Sequence, residues 1–185
     1  ILIARPIDPT KKTPQFEAIN SCIAITGQMD GCHITTVEGL KKDGEFTAVQ
    51  KSMIECNGSQ CGFCTPGFVM AMSWMMEKNK TVDSKGAKNH LTGNLCRCTG
   101  YQAIIDATVM AGSIRDENSS DQSLTKRYLT GAKIKELKAA TKSSVMIETN
   151  SRRFFAPSSI KELTAIRKKY PNSLIIGAAT DLGVQ

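Results

Sequence analysis

The sequence predicts an α+β protein made of unlike stretches in series. Three observations carry this. The first 40 residues are β-branched runs broken by turn residues, the next 70 carry apolar stripes at helical spacing, and the last 30 join a helix pattern to an aliphatic run and a small-residue loop. The expected boundaries are 1–43 for the strand-rich part, 44–112 for the helical part, 113–153 for a linker and 154–185 for the start of an α/β unit. At 185 residues the chain is long enough for one or two domains with a core.

In the first part, Ile1-Leu2-Ile3-Ala4 opens as a strand and Asp8 to Pro14 reads as a turn. Ile23-Ala24-Ile25-Thr26-Gly27 and Cys32 to Val37 have the alternation and β-branching of further strands. The helical part reads as four helices. Val49, Met53 and Ile54 form a short stripe before the Asn57-Gly58 turn. Pro66 suits a first helical turn, and Phe68, Val69, Met72, Met75 and Met76 then recur at helical spacing. A methionine-rich face of this kind is read as adaptable core rather than as a binding surface. Asp83 is placed to cap a weak third helix running to Leu91, and Tyr101, Ile104, Ile105, Thr108 and Val109 form the fourth stripe.

The stretch 113–153 is polar and reads as a linker crossing a surface, with a short helix over Leu129 to Ala140. Ser159-Ile160-Lys161-Glu162 has a capping-box pattern and opens a helix with Leu163 and Ile166 inward. The Tyr170-Pro171-Asn172 turn leads to a strand at Ser173-Leu174-Ile175-Ile176, followed by the loop Gly177 to Gly183.

Four of the seven cysteines lie in two tight pairs, Cys61-Gly62-Phe63-Cys64 and Cys96-Arg97-Cys98. Each pair is followed by Thr, then Pro or Gly, then a helical stripe. Both sets of thiols therefore fall just before helix starts, where backbone dipoles favour a thiolate. Four converging thiolates suit zinc or an iron–sulfur cluster. Structural zinc sites usually separate paired cysteines by two to four residues, and the single Arg97 is tight for that chelate, which favours iron and sulfur.

The longer phrases Gln60 to Gly67 and Gly93 to Tyr101 together resemble the helical [2Fe–2S] domain of the molybdenum hydroxylases, the family of xanthine dehydrogenases and aldehyde oxidases. The resemblance implies that Cys61, Cys64, Cys96 and Cys98 bind one [2Fe–2S] cluster, and that Gln60 and Cys98 approach a molybdopterin held by a partner chain or domain. It also makes residues 1–43 the remnant of a β-grasp, plant-type ferredoxin domain. Cys22 there matches the last ligand of a second [2Fe–2S] cluster, whose other three ligands belong to a loop that would precede Ile1. Residues 44–112 become the four-helix [2Fe–2S] bundle. The loop Ile175, Ile176, Gly177, Ala178, Ala179, Thr180, Asp181 and Leu182 resembles the start of the family's FAD domain, with alanines at 178 and 179 where glycines are common. The implied activity is electron transfer from molybdenum through [2Fe–2S] clusters to FAD and then NAD, within a heteromeric assembly of the xanthine dehydrogenase type. An aldehyde oxidase or other heterocycle hydroxylase shares these motifs, and a zinc-stabilised interaction module is the reading from another class.

The other residues carry less. The odd cysteine count and the absence of a signal-peptide pattern favour a reducing compartment, taken as the cytoplasm. Cys32 and Cys56 fit no ligand phrase and are expected to be buried small hydrophobes. His33 and His90 have no partner motif and read as ordinary histidines. Of 24 basic residues, 12 fall between Lys126 and Lys169 with few aromatics among them, which argues for a solvated face rather than a nucleic-acid groove. No apolar run reaches the length of a membrane span.

Overall fold

The computed structural model describes residues 1–6, 13–41, 43–78, 82–114 and 123–177. Its first layer is a three-stranded antiparallel sheet of β1 (Leu2–Ala4), β2 (Phe16–Ala18) and β3 (His33–Thr35), in the order β2-β1-β3. Leu2 pairs with Ala18 on one side and Thr35 on the other. The short central strand is buried along its length, which suits its all-aliphatic sequence. The run Ile23–Ile25 does not become a strand. It leads into a 3-10 turn, Thr26–Met29, in which Gly27 is buried against Phe154. A Cβ at Gly27 would lie 2.4 Å from that ring, so only glycine admits the aromatic here.

Four helices follow: α1 (Ala48–Glu55), α2 (Thr65–Lys78), α3 (Ser84–His90) and α4 (Gln102–Ile114). Thr47 and Gln50 close a full capping box on α1, and Asp83 caps α3 through Gly86 N–H at 2.6 Å. The α2 methionines are core as expected, with Met72 and Met75 fully buried and Met70 and Met76 nearly so. Trp74 on α2 donates its indole N–H to Phe16 O at 2.9 Å and so ties the helices to the sheet.

The stretch read as a linker with one short helix holds that helix and further elements besides. It contains α5 (Leu124–Tyr128), α6 (Gly131–Ala140) and the strand β4 (Val145–Glu148), which pairs antiparallel with β5 (Arg153–Ala156). Leu124, Leu129 and Leu137 enter the same core as α1 to α4. Glu77 on α2 accepts hydrogen bonds from the Leu124 and Thr125 amides and the Ser123 and Thr125 hydroxyls. Arg127 donates to the carbonyls of Gly39 and Leu40, and Tyr128 to that of Gly39. Residues 123–140 thus form a strap over the junction of sheet and helices.

The last helix, α7 (Ile160–Lys169), is capped by Ser159, whose hydroxyl accepts the Glu162 N–H. The reciprocal half of the expected capping box is not made. Glu162 instead takes hydrogen bonds from Ser158 N–H and the Ser144 and Ser158 hydroxyls, fastening α7 to the start of the β4–β5 hairpin. Leu163 and Ile166 are only half-buried. Ser173–Ile176 is not a strand, because no neighbour among the described residues supplies the ladder hydrogen bonds a strand needs. Ile175 is exposed and Ile176 half-buried, and the Gly177 carbonyl accepts from Gln28 at 3.2 Å. The rest of the expected flavin loop, Ala178 to Leu182, lies outside the described residues.

Candidate metal centre

Two loops, one between α1 and α2 and the other between α3 and α4, bring both cysteine pairs together. The first leaves α1 through Asn57, at φ 52°, while the Gly58 amide closes back on Met53 O at 2.9 Å. Gly62, at φ 84°, then turns the chain between Cys61 and Cys64, and α2 begins at the next residue. The second loop touches the first turn of α2 where Asn94 meets Gly67. A Cβ on Gly67 would sit 2.9 Å from the Asn94 side-chain oxygen.

The thiols meet across the loops rather than within them. Cys98 Sγ donates to Cys61 Sγ at 3.4 Å, and the Cys64 and Cys96 thiols influence one another's charge. A tetrahedral metal with bonds of about 2.3 Å to sulfur would set its thiolates about 3.8 Å apart, close to the first spacing. No three His, Cys, Asp or Glu side chains among the described residues are arranged around a single ion. Cys96 is buried, Cys64 half-buried, and Cys61 and Cys98 are exposed.

Charge follows the same pairing. The Thr99 hydroxyl, then the Thr99 and Cys98 amides, lower the Cys96 thiol to about 7. The Phe63 amide, then the Cys98 thiol, lower Cys61. Burial pushes Cys64 up to about 11, and donation to Cys61 raises Cys98. Each pair therefore joins one thiol that is lowered to one that is raised. This revises the expectation that helix starts would lower the thiols. Cys64 directly precedes α2 and is raised, while the lowered sulfurs take their help from loop amides and a hydroxyl.

Gln60 is exposed beside Cys61, and Phe63 (94% exposed) and Leu95 (71%) project next to the cysteines. Sequence periodicity missed these two residues, since neither lies on a helix. Cys22 is exposed close to the Ile1 ammonium, away from any set of three potential ligands among the described residues. Cys32 and Cys56 are half-buried rather than buried. The Cys56 thiol faces Met110 Sδ at 3.7 Å, and Cys32 sits in the turn at Gln28 and Asp30. His90 is bonded to Gly86 O at 2.9 Å, and His33 lies 3.2 Å from the Thr35 hydroxyl.

Residues 36–109 match the family described as [2Fe-2S] binding domain. Relatives that share this segment include xanthine dehydrogenases and small subunits of related multi-subunit dehydrogenases and hydroxylases. The chain is 42% identical over 103 residues to the 6-hydroxypseudooxynicotine dehydrogenase complex subunit beta of Paenarthrobacter nicotinovorans, covering 55% of this chain and 64% of that subunit. It is 41% identical over 106 residues to the xanthine dehydrogenase of Emericella nidulans, covering 57% of this chain and 8% of that one. The xanthine dehydrogenase of Dictyostelium discoideum matches at 30% over 210 residues, covering 91% of this chain and 15% of its own. The chain thus spans under two thirds of the first relative's length and a small part of the others. Among solved structures, quinoline 2-oxidoreductase from Pseudomonas putida 86 aligns with a TM-score of 0.49 and 35% identity, covering 54% of this chain and 60% of that one. No helix among the described residues is long and apolar enough to cross a membrane.

Proposed function

We propose that this chain is the electron-transfer part of a molybdenum hydroxylase of the xanthine dehydrogenase type, relaying electrons from a molybdenum cofactor on a partner chain or domain towards FAD and NAD. The observation that carries this is the pairing of thiols across the two loops. A centre of two irons with two thiolates each asks for Cys61 with Cys98 and Cys64 with Cys96. A bound [2Fe–2S] cluster supplies a one-electron carrier, and the chain sets its exposure and hydrogen bonding. Cys61 and Cys98 stand at the surface, so that side faces the electron donor. Gln60, Phe63 and Leu95 surround it and form the docking face.

The xanthine dehydrogenase reading rests on the Dictyostelium match, which runs well past residues 36–109. On this reading residues 1–43 belong to a ferredoxin-like domain with Cys22 as a ligand of a second cluster, and Ile175 to Leu182 to a flavin loop. The test is iron and sulfide content of the purified chain with its visible and electron paramagnetic resonance spectra. Two irons with two sulfides agree with the proposal, and a colourless chain holding zinc ends it. In the assembled enzyme, Gln60→Ala should keep the iron and slow cluster reduction by reduced molybdenum. Unchanged reduction kinetics would remove Gln60 from the electron-entry face.

A further inference from the structure

Tyr101 holds a backbone conformation that its side chain disfavours. Its φ is +71°, directly after Gly100 at +67°, and bulky residues rarely occupy this left-handed region. Glycine would fit the same dihedral without resistance. Three anchors hold the tyrosine there. Its hydroxyl accepts the Cys96 N–H at 3.0 Å. Its own N–H donates to the Thr99 hydroxyl at 3.2 Å, the group that lies 3.2 Å from Cys96 Sγ. Its ring packs edge-on against Phe68, 6.3 Å between centroids, and Phe68 is fully buried on α2 four residues after Cys64. The Tyr101 carbonyl also accepts two amides in the first turn of α4, from Ile104 and Ile105.

We propose that Tyr101 is the positioning residue of the metal centre, a latch that sets the Cys96 loop before metal binds and locks it to the helix carrying Cys64. This rests on the cluster reading above for its consequence, but the latch itself is a property of the metal-free fold. Cys96 is buried, so its amide needs a partner, and Tyr101 is the group that reaches it. With the loop already fixed, binding a cluster orders less chain and the bound state is held longer.

Two variants of the 185-residue chain test it. Tyr101→Phe keeps the ring on Phe68 and removes the hydroxyl. It should fold with unchanged far-ultraviolet circular dichroism and a shifted paramagnetic resonance signal, and lose iron to a chelator about fivefold to tenfold faster, as expected for one hydrogen bond. Tyr101→Gly relaxes the backbone yet loses both side-chain anchors, and should release iron faster still. The same rates and spectra in both variants as in the parent would overturn the latch. Amide exchange at Cys96 in the metal-free chain separates this from failure of the cluster reading. A parent that binds no iron ends that reading, and the latch then stands if Tyr101→Phe speeds Cys96 exchange about fivefold or more, and falls if exchange is unchanged.

Discussion

Glu77 governs whether the strap stays closed, and replacing it should show this in numbers. It is half-buried on α2 and accepts four hydrogen bonds from the start of α5, with Leu124 N–H at 2.7 Å, the Thr125 hydroxyl at 2.9 Å, and Thr125 N–H and the Ser123 hydroxyl at 3.3 Å. A hydrogen bond to a charged group contributes about 1.5–3 kcal/mol when its loss leaves the partner unpaired. The freed groups at this half-buried site can turn to water, so Glu77→Ala should cost about 2–3 kcal/mol in total rather than four times that value. For a chain of this size that lowers Tm by about 5–10 °C. Leu124, Leu129 and Leu137 are each about 5% exposed or less, and each resists opening by about 1.5–3 kcal/mol. The strap should therefore loosen rather than detach. Amide exchange within 124–140 should quicken by about thirtyfold to a hundredfold, with α2 and α4 protected as before. Thermal melts with exchange measured by mass spectrometry give both quantities. A Tm within about 1 °C of the parent, with unchanged exchange in the strap, would refute the reasoning.

The helices around the metal centre were legible because local sequence and tertiary burial agree there. The Asp83 cap and the apolar faces of α2 and α4 place those elements where spacing alone puts them, whereas the Thr47 cap of α1 was not read from the sequence. The placement of the two cysteine phrases just before α2 and α4 was legible for the same reason. What the spacing could not show was the pairing across the loops, since it depends on tertiary approach between segments 37 residues apart. Of the strap, α6 was legible and α5 was hidden, because α5 is only five residues long and polar. It is held by Glu77, 46 to 48 residues away in sequence, and leaves no periodic trace. Ile23–Ile25 and Ser173–Ile176 misled for the opposite reason. Their composition is that of strands, but a strand also needs an edge to pair with, and composition does not encode one.

Cys96→Ser should abolish most of the iron and visible absorption, and a variant with full iron and an unchanged paramagnetic resonance signal would refute the ligand set. Gly27→Ala should displace the Phe154 ring, which lies 2.4 Å from the added Cβ, and cost about 1–3 kcal/mol by denaturant melting. A neutral result would mean the hairpin gives way freely. Ser52→Ala removes a buried hydroxyl that has no partner among the described residues, and should leave Tm unchanged or raise it slightly. Acid should weaken the fold at His33. Burial, and then the Lys133 charge, hold its imidazole below the usual range, with Glu136 opposing. In the unfolded chain this histidine takes its proton near about pH 6.5. Between that pH and the lower folded value the unfolded state binds more protons, so stability rises with pH across the window. The contribution is present in full above the unfolded pKa and is lost as pH falls through the folded one. Melting between pH 7.5 and 5 should therefore show a decline that His33→Gln makes shallower. An equally steep decline in the variant would place the acid sensitivity on other groups, since the neutral glutamine leaves no proton to bind at that position.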